Sequence, residues 1–255
     1  MAELKGKKVL VTGASQGLGL VCAKALAKEG ARLVLTARSA EKLNTLHKSL
    51  PNPKSHMSFA ADLTIPKKVG ELIKRSKKFF GDFDVVLHVA GGGLGLREPL
   101  LDSEAIEKLY KLNIGIAAEI NRHVIPTMIK KGRGNVVHVC SIASSEATGS
   151  VGYNTVKAGL AAYVRTLGRE VAKTGVIVTG ILPGGFLAPD NSMERLRKNN
   201  PEAYKKFIQE RLPRKKMGTA EEIVPLVLWL CSPSASMMAA CCVPIDGGEG
   251  LSYVQ

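Results

Sequence analysis

At 255 residues the chain is long enough to bury a full core and is sized for one α/β domain. Its 45% hydrophobic and 23% charged residues are ordinary for a globular protein, which argues against a disordered or low-complexity chain. A formal charge of +14 is not ordinary, and means either a solvated basic surface or a field that draws in phosphate-bearing ligands. In chain order, Val9–Val11 reads as a strand and Gly17 to about Glu29 as a helix. Arg32–Thr36 is the second strand, with a helix from Ala40. Ser58–Ala60 is a third short strand, and a Lys-rich helix runs from Pro66 to Phe79. Val85–Val89 is a fourth strand, and a long helical region from Ser103 to Lys130 is broken near Asn113–Gly115. Asn135–Cys140 is a fifth strand, Val151–Lys173 a helix, and Val176–Leu182 a sixth strand. Glu221–Cys231 is a helix and Cys242–Ile245 the last strand.

Strands alternating with helices imply right-handed crossovers and a doubly wound parallel sheet of about seven strands, covered on both faces. The expected unit is a single α/β domain over 1–255. One stretch breaks the rhythm. Residues 184–217 are polar and basic, with helical pieces at Met193–Lys198 and Pro201–Arg211. An insertion of this kind after a strand serves as a binding loop or lid.

Basic residues cluster at Lys5–Lys8, Lys67–Lys78, Lys130–Arg133, Arg195–Lys198 and Arg211–Lys216, with no interleaved aromatics. With aromatics at 5% of the chain, a base-stacking surface, and so nucleic acid, is not expected. Five cysteines (Cys22, Cys140, Cys231, Cys241 and Cys242) have no paired metal spacing. They fit reduced thiols in a cytoplasmic protein that holds no metal. Met1–Lys5 carries no apolar stretch of a secretory leader, and no apolar run approaches about 18 residues, so no membrane association is expected.

Between the first strand and first helix lies Thr12-Gly13-Ala14-Ser15-Gln16-Gly17-Leu18-Gly19. A bare three-glycine spacing is weak, but this one follows a strand, opens a helix and sits in the first βαβ unit. There Gly13 permits the tight turn, Gly17 lets a pyrophosphate approach, and Gly19 lets the helix pack on the sheet. The helix start offers amides and a positive dipole end to phosphates. The second strand ends Leu35-Thr36-Ala37-Arg38-Ser39, with no Asp or Glu to hold a ribose 2′-hydroxyl. Arg38 can instead pair with a 2′-phosphate, which favours NADP(H) over NAD(H); the other reading is a surface arginine at a helix start. Asp62 either caps a helix or accepts a hydrogen bond from adenine.

Ser141 follows the fifth strand at its carboxyl end, where ligands of open α/β sheets sit. Tyr153 and Lys157 stand at i and i+4 of one helix and share a face. A phenol is a slow acid near neutrality, and an adjacent ammonium favours its phenolate. The pair is weak alone and gains weight from Ser141 and the glycine turn.

With these residues in place the chain resembles the short-chain dehydrogenase/reductase family, from Lys7 to about Gly248. The resemblance rests on Thr12–Gly19, Asp62-Leu63, Ala90-Gly91, Asn113, Ser141, Tyr153-x-x-x-Lys157 and Pro183-Gly184. It also rests on Met217–Ile223 and Pro244–Gly248. It implies a Rossmann fold, a tetrad of Asn113, Ser141, Tyr153 and Lys157, and a tetramer or at least a dimer. In such enzymes Tyr153 passes a proton to the carbonyl oxygen, Lys157 also holds the nicotinamide ribose, and Asn113 holds a water. The resemblance gives the cofactor Gly13, Ser15, Gln16, Gly17, Leu18, Gly19, Arg38, Ser39, Asp62, Leu63, Ala90, Gly91, Pro183 and Gly184, besides Tyr153 and Lys157. Two positions depart from the pattern. His88-Val89 stands where two asparagines are usual, and Ala188 stands near a usual threonine. His88 itself reads as a satisfied core residue rather than a catalyst.

Two classes of function follow. One is NADP(H)-dependent reduction of a ketone, or the reverse, with a small or carrier-bound substrate. A 3-oxoacyl thioester as in 3-oxoacyl-carrier-protein reductases fits the basic surface, and a sugar-like polar ketone fits the lid, whose Arg195, Arg197 and Lys198 suit an anionic substrate. The other is an NADP(H)-binding sensor or scaffold without turnover, supported only by Val89 and Ala188.

Overall fold

Runs of aliphatic residues with no polar side make the strands, because a strand covered by helices on both faces has no side to leave in water. A computed structural model describes residues 3–252. Residues 1–2 and 253–255 of the expected domain, and with them the start of Met1–Lys5, lie outside the described residues. The strands are β1 (Lys8–Thr12), β2 (Arg32–Ala37), β3 (Met57–Ala60), β4 (Val85–His88), β5 (Gly134–Val139) and β6 (Val176–Pro183). Three more follow, β7 (Phe186–Leu187), β8 (Gly218–Thr219) and β9 (Cys242–Ile245). The helices are α1 (Gly17–Lys28), α2 (Ala40–Ser49), α3 (Pro66–Phe80), α4 (Ser103–Tyr110) and α5 (Ile116–Lys131). α6 (Val151–Val171), α7 (Ser192–Asn199), α8 (Pro201–Arg211) and α9 (Ala220–Leu230) complete the set.

Seven strands join in one parallel sheet, in the order β3-β2-β1-β4-β5-β6-β9. This is the doubly wound Rossmann-type arrangement. Alternate residues of each strand feed different cores. Val9, Val11, Leu33, Leu35, Val85 and Leu87 pack with α1, α2 and α9, whereas Leu10, Val34, Val86 and Val136 pack with α3, α5 and α6. The chain leaves β1 on one side to build β2 and β3, then returns to build β4 on the other. That reversal opens a crevice at the carboxyl ends of β1 and β4, the place where such sheets take ligands.

Two features differ from expectation. The long helical region is not broken. α4 runs through one wide turn, Lys111–Gly115, into α5 with right-handed backbone throughout. The turn is of π type, which inserts a residue without ending the helix. The excursion from 184 to 217 carries the expected two helices, plus a two-residue pairing of β7 with β8 too short for any periodic signal. Neither α7 nor α8 has a buried residue, so the excursion rests on the body rather than in it. Asn191 caps α7, its Oδ1 accepting the Glu194 amide at 2.8 Å, and Asn200 caps α8 in the same way. No helix among the described residues is long and apolar enough to cross a membrane.

Candidate active site

Gly13 and Gly17 lie in the left-handed region, at φ +65° and +57°, where a side chain is strained. A Cβ on Gly19 would stand 2.3 Å from the Gly13 carbonyl oxygen, so the turn closes on α1 only with glycine there. Ser15 and Gln16 form the bend, and Gln16, in extended backbone, starts the helix without a side-chain cap. Leu18 is buried beneath the turn. First-turn amides have no acceptor within the helix and carry its positive end. Gly17, expected to let a pyrophosphate approach, donates its own amide to Pro189 O of the excursion at 2.6 Å.

Arg38 stands exposed just past β2. Ser39 caps α2, its Oγ accepting the Lys42 amide at 3.3 Å. Asp62 is engaged locally: its Oδ1 accepts the amide and hydroxyl of Thr64 at 2.9 and 2.7 Å. Those bonds, with the Arg38 charge as a smaller contributor, hold the Asp62 carboxyl below the usual range. Leu63 is buried against α3 and so supports this corner rather than lining it.

On the other side of the crevice, Thr12 Oγ1 accepts the amides of Val89 and Ala90 at 3.0 and 3.1 Å. Val89 thus needs no polar side chain, because a hydroxyl from β1 braces the chain where the usual asparagine is missing. The sequence placed Thr12 at the start of the glycine turn but gave no sign of these partners. Ala188, the other departure, is buried in the core beside α1 and α9.

The wide turn between α4 and α5 aims Asn113 at the crevice. Asn113 Nδ2 donates to Leu109 O at 2.9 Å and Gly92 O at 3.0 Å, and its Oδ1 accepts the Gly92 amide at 3.0 Å. A Cβ on Gly91 would lie 2.9 Å from Asn113 Oδ1 and 3.3 Å from Lys157 Nζ, so both side chains close over that glycine. Lys157 is buried, and its Nζ donates to Val139 O at 2.9 Å and lies 5.7 Å from the Tyr153 ring centre. Tyr153 is half-buried and packs over Gly93, where a Cβ would be 3.6 Å from its ring. Ser141, two residues after Val139, is buried at the end of β5, with its Oγ accepting the Ala143 amide at 3.1 Å. Asn113, Tyr153, Lys157 and the Ala90-Gly91 loop are therefore brought together, with Ser141 anchored beside them.

Beneath this group lies a polar pocket of the core that sequence patterning did not reveal. His88 and His138 are register partners with stacked rings 4.5 Å apart. His88 Nε2 pairs with Asn121 Oδ1 at 2.9 Å, and Asn121 Nδ2 donates to Tyr163 Oη at 3.1 Å. His88 is thus a core residue as expected, but among the described residues it is satisfied on one nitrogen only, and His138 has a partner on neither. Burial pushes His88 down to about 4, and burial, then His88 and Lys157, hold His138 well below its ordinary value.

Pro183 ends β6, and Gly184 follows under the excursion. A Cβ on Gly184 would lie 2.5 Å from Glu249 Oε2, the oxygen that accepts the Gly185 amide at 2.6 Å. Burial raises the Glu249 carboxyl above its usual range. Glu146, on the loop between Ser141 and Tyr153, accepts the amides of Leu251 and Ser252 at 2.7 and 3.0 Å. These carboxylates were not found from sequence because their partners are backbone amides distant in the chain. No cluster that could hold a metal ion occurs among the described residues. The glycine turn and the first-turn amides fit a dinucleotide.

Residues 7–200 match the short chain dehydrogenase family, and the chain belongs to it, a class of oxidoreductases acting on CH–OH and C=O groups. It is 32% identical over 256 residues to levodione reductase of Leifsonia aquatica, spanning 96% of this chain and 94% of the relative. It is 27% identical over 252 residues to a 3-oxoacyl-[acyl-carrier-protein] reductase of Aquifex aeolicus, covering 96% and 98%. The structure of L-sorbose reductase from Gluconobacter frateurii, complexed with NADPH and L-sorbose, superposes with a TM-score of 0.89. It is 29% identical and covers 99% of this chain and all (100%) of that one.

Proposed function

We propose that this chain reduces a ketone to a secondary alcohol with NADP(H), or runs the reverse reaction, under a lid formed by residues 184–217. The observation that carries the reading is the closure of Asn113 Oδ1 and Lys157 Nζ over Gly91, with Tyr153 packed on Gly93 next to it. When bound, NADPH supplies the hydride. Ser141 Oγ holds the carbonyl oxygen, and Tyr153 Oη gives that oxygen its proton as negative charge develops there. Lys157 presents a buried cation one helical turn from the phenol, favours the phenolate left behind, and orients the nicotinamide ribose. Asn113 holds Gly92 and the wide helical turn in place, and stands where a water links Lys157 to solvent. Arg38 and Ser39 receive the 2′-phosphate.

A hydroxylated ketone is the substrate best supported. Glu249 brings a carboxyl against Gly184-Gly185, a polar neighbour that suits a hydroxyl-bearing substrate better than an anionic one. A carrier-bound 3-oxoacyl thioester remains the second reading, favoured by the +14 charge and by the relative from Aquifex aeolicus. The sensor-or-scaffold reading loses its main support, since Thr12 supplies the bracing that Val89 lacks. For the assembly, Ile116, Ala117, Leu160 and Val164 are buried within this chain and do not call for a partner. Ile106, Tyr110 and Val151, exposed on α4 and α6, support a dimer or tetramer through that face in a cytoplasmic enzyme.

The test is NADPH oxidation over a panel of ketones, including ketoses and a 3-oxoacyl thioester, with Tyr153→Phe as control. Turnover of a hydroxylated ketone that Tyr153→Phe abolishes is expected. Specific binding of NADPH with no turnover of any panel member would return the sensor reading.

A further inference from the structure

Pro189 and Asp190 fasten the excursion to both sides of the cofactor cradle. Pro189 O accepts the Gly17 amide at 2.6 Å, on the glycine turn. Asp190 Oδ2 accepts from Lys42 Nζ at 2.7 Å, on the first turn of α2. Asp190 is held for this role. It takes a left-handed backbone at φ +59°, its amide donates to Glu194 Oε2 at 2.7 Å, and its carbonyl accepts from Arg195 Nη1. The Lys42–Asp190 pair is the only side-chain ion pair joining the excursion to α2 among the described residues. Since α7 and α8 bury nothing, a few such contacts set how firmly they are held.

Lys42 is also three residues from Ser39 and four from Arg38, on the same end of α2. We propose that Lys42 and Asp190 form a latch that a 2′-phosphate releases: the phosphate takes Lys42 from Asp190 and frees the excursion, and a plain ribose leaves the latch closed. Lys42 then serves as a second determinant of cofactor selectivity, coupling the kind of dinucleotide bound to the mobility of the lid. The inference rests on the NADP(H) reading above. Its physical basis is a competition for one ammonium. Asp190 offers a single charge in an exposed pair, and exposed pairs are weak. A phosphate monoester offers about −1.5 to −2 charges, three acceptor oxygens and Arg38 as a co-ligand. Released, Asp190 still lies close to the charges of Lys198 and Arg195, so the loss of Lys42 does not strand it.

Trypsin reports the lid directly, because Arg195, Arg197 and Lys198 are exposed on α7. The probes are 2′,5′-ADP and 5′-AMP, which share the adenosine 5′-phosphate and differ only by the 2′-phosphate. With 2′,5′-ADP, cleavage in α7 should quicken by about fivefold over 5′-AMP at saturation, the scale of one exposed ion pair. Asp190→Asn keeps the left-handed backbone, which Asn tolerates, and removes the charge. It should be cut about as fast without ligand as the parent with 2′,5′-ADP, and should gain nothing further from the probe. Lys42→Gln should lose about tenfold in affinity for 2′,5′-ADP by calorimetry, with 5′-AMP affinity unchanged. Preferential binding of 2′,5′-ADP with equal cleavage under both probes would overturn the latch and leave the NADP(H) reading intact. Equal affinity for the two probes in the parent would overturn that reading first.

Discussion

His88 and His138 face each other across neighbouring strands, rings stacked 4.5 Å apart, in full burial beneath the crevice. Two imidazoles this close and this deeply buried are held as neutral rings. Burial sets His88 at about 4 in the folded chain, against about 6.5 in an unfolded one. The unfolded chain therefore binds more protons between those values. The stability this neutral ring contributes is complete above about pH 6.5 and is lost as pH falls toward about 4. The loss from His88 alone is about 3 kcal/mol at most. Urea midpoints at pH 7 and pH 4.5 should fall apart by much less in His88→Asn, which keeps a partner for Asn121. An unchanged pH dependence in that variant would show that the acid sensitivity lies elsewhere.

Removing the Tyr153 hydroxyl as Tyr153→Phe should leave folding and NADPH binding near the parent's while turnover falls by about 10²–10⁴-fold. Ser141→Ala should lower turnover with little change in cofactor affinity, and Lys157→Ala should lower both. Steady-state kinetics with fluorescence titration of NADPH separate the three, and undiminished turnover in Tyr153→Phe would end the mechanism.

Gly91→Ala tests the packing of the site without removing any functional group. Its Cβ would stand 2.9 Å from Asn113 Oδ1 and 3.3 Å from Lys157 Nζ, so one of them must shift. Turnover should drop at least about tenfold, since a misplacement of about 1 Å can cost 10²-fold. Thermal melting should move by only a few degrees.

Arg38→Asp should weaken NADPH and move preference toward NADH, by replacing a phosphate partner with an acceptor for a ribose hydroxyl. Fluorescence titration with both cofactors reads this, and equal affinities in the parent would remove the case for NADP(H).

Thr12→Val should cost about 1–3 kcal/mol in a urea melt, because the Val89 and Ala90 amides lose their shared acceptor in a partly buried place. A loss no greater than that of a surface substitution would mean that water replaces the hydroxyl.

Much of the chain was legible because its signals are local. Apolar runs such as Val9–Val11 and the punctuation of Gly13, Gly17 and Gly19 depend on neighbours a few residues away. So do Tyr153 and Lys157, four apart on one helix. What escaped is long-range. Thr12 finds Val89 and Ala90 more than seventy positions on, Glu249 finds Gly185, and Lys42 finds Asp190. Nothing in the pattern around any of these residues names its partner. The turn at Asn113 was read as a break because Asn and Gly end helices far more often than they widen them.

The hydroxyl of Thr12 ties the rim beyond β4 to the residue from which the glycine turn departs. One short side chain thus spans the gap between the two halves of the sheet at the point where the winding reverses. The glycine turn and the floor over which Lys157 and Asn113 meet therefore share a common post. If the turn holds the proposed dinucleotide, a shift of the turn on binding should be felt at Lys157 and Asn113 through that post.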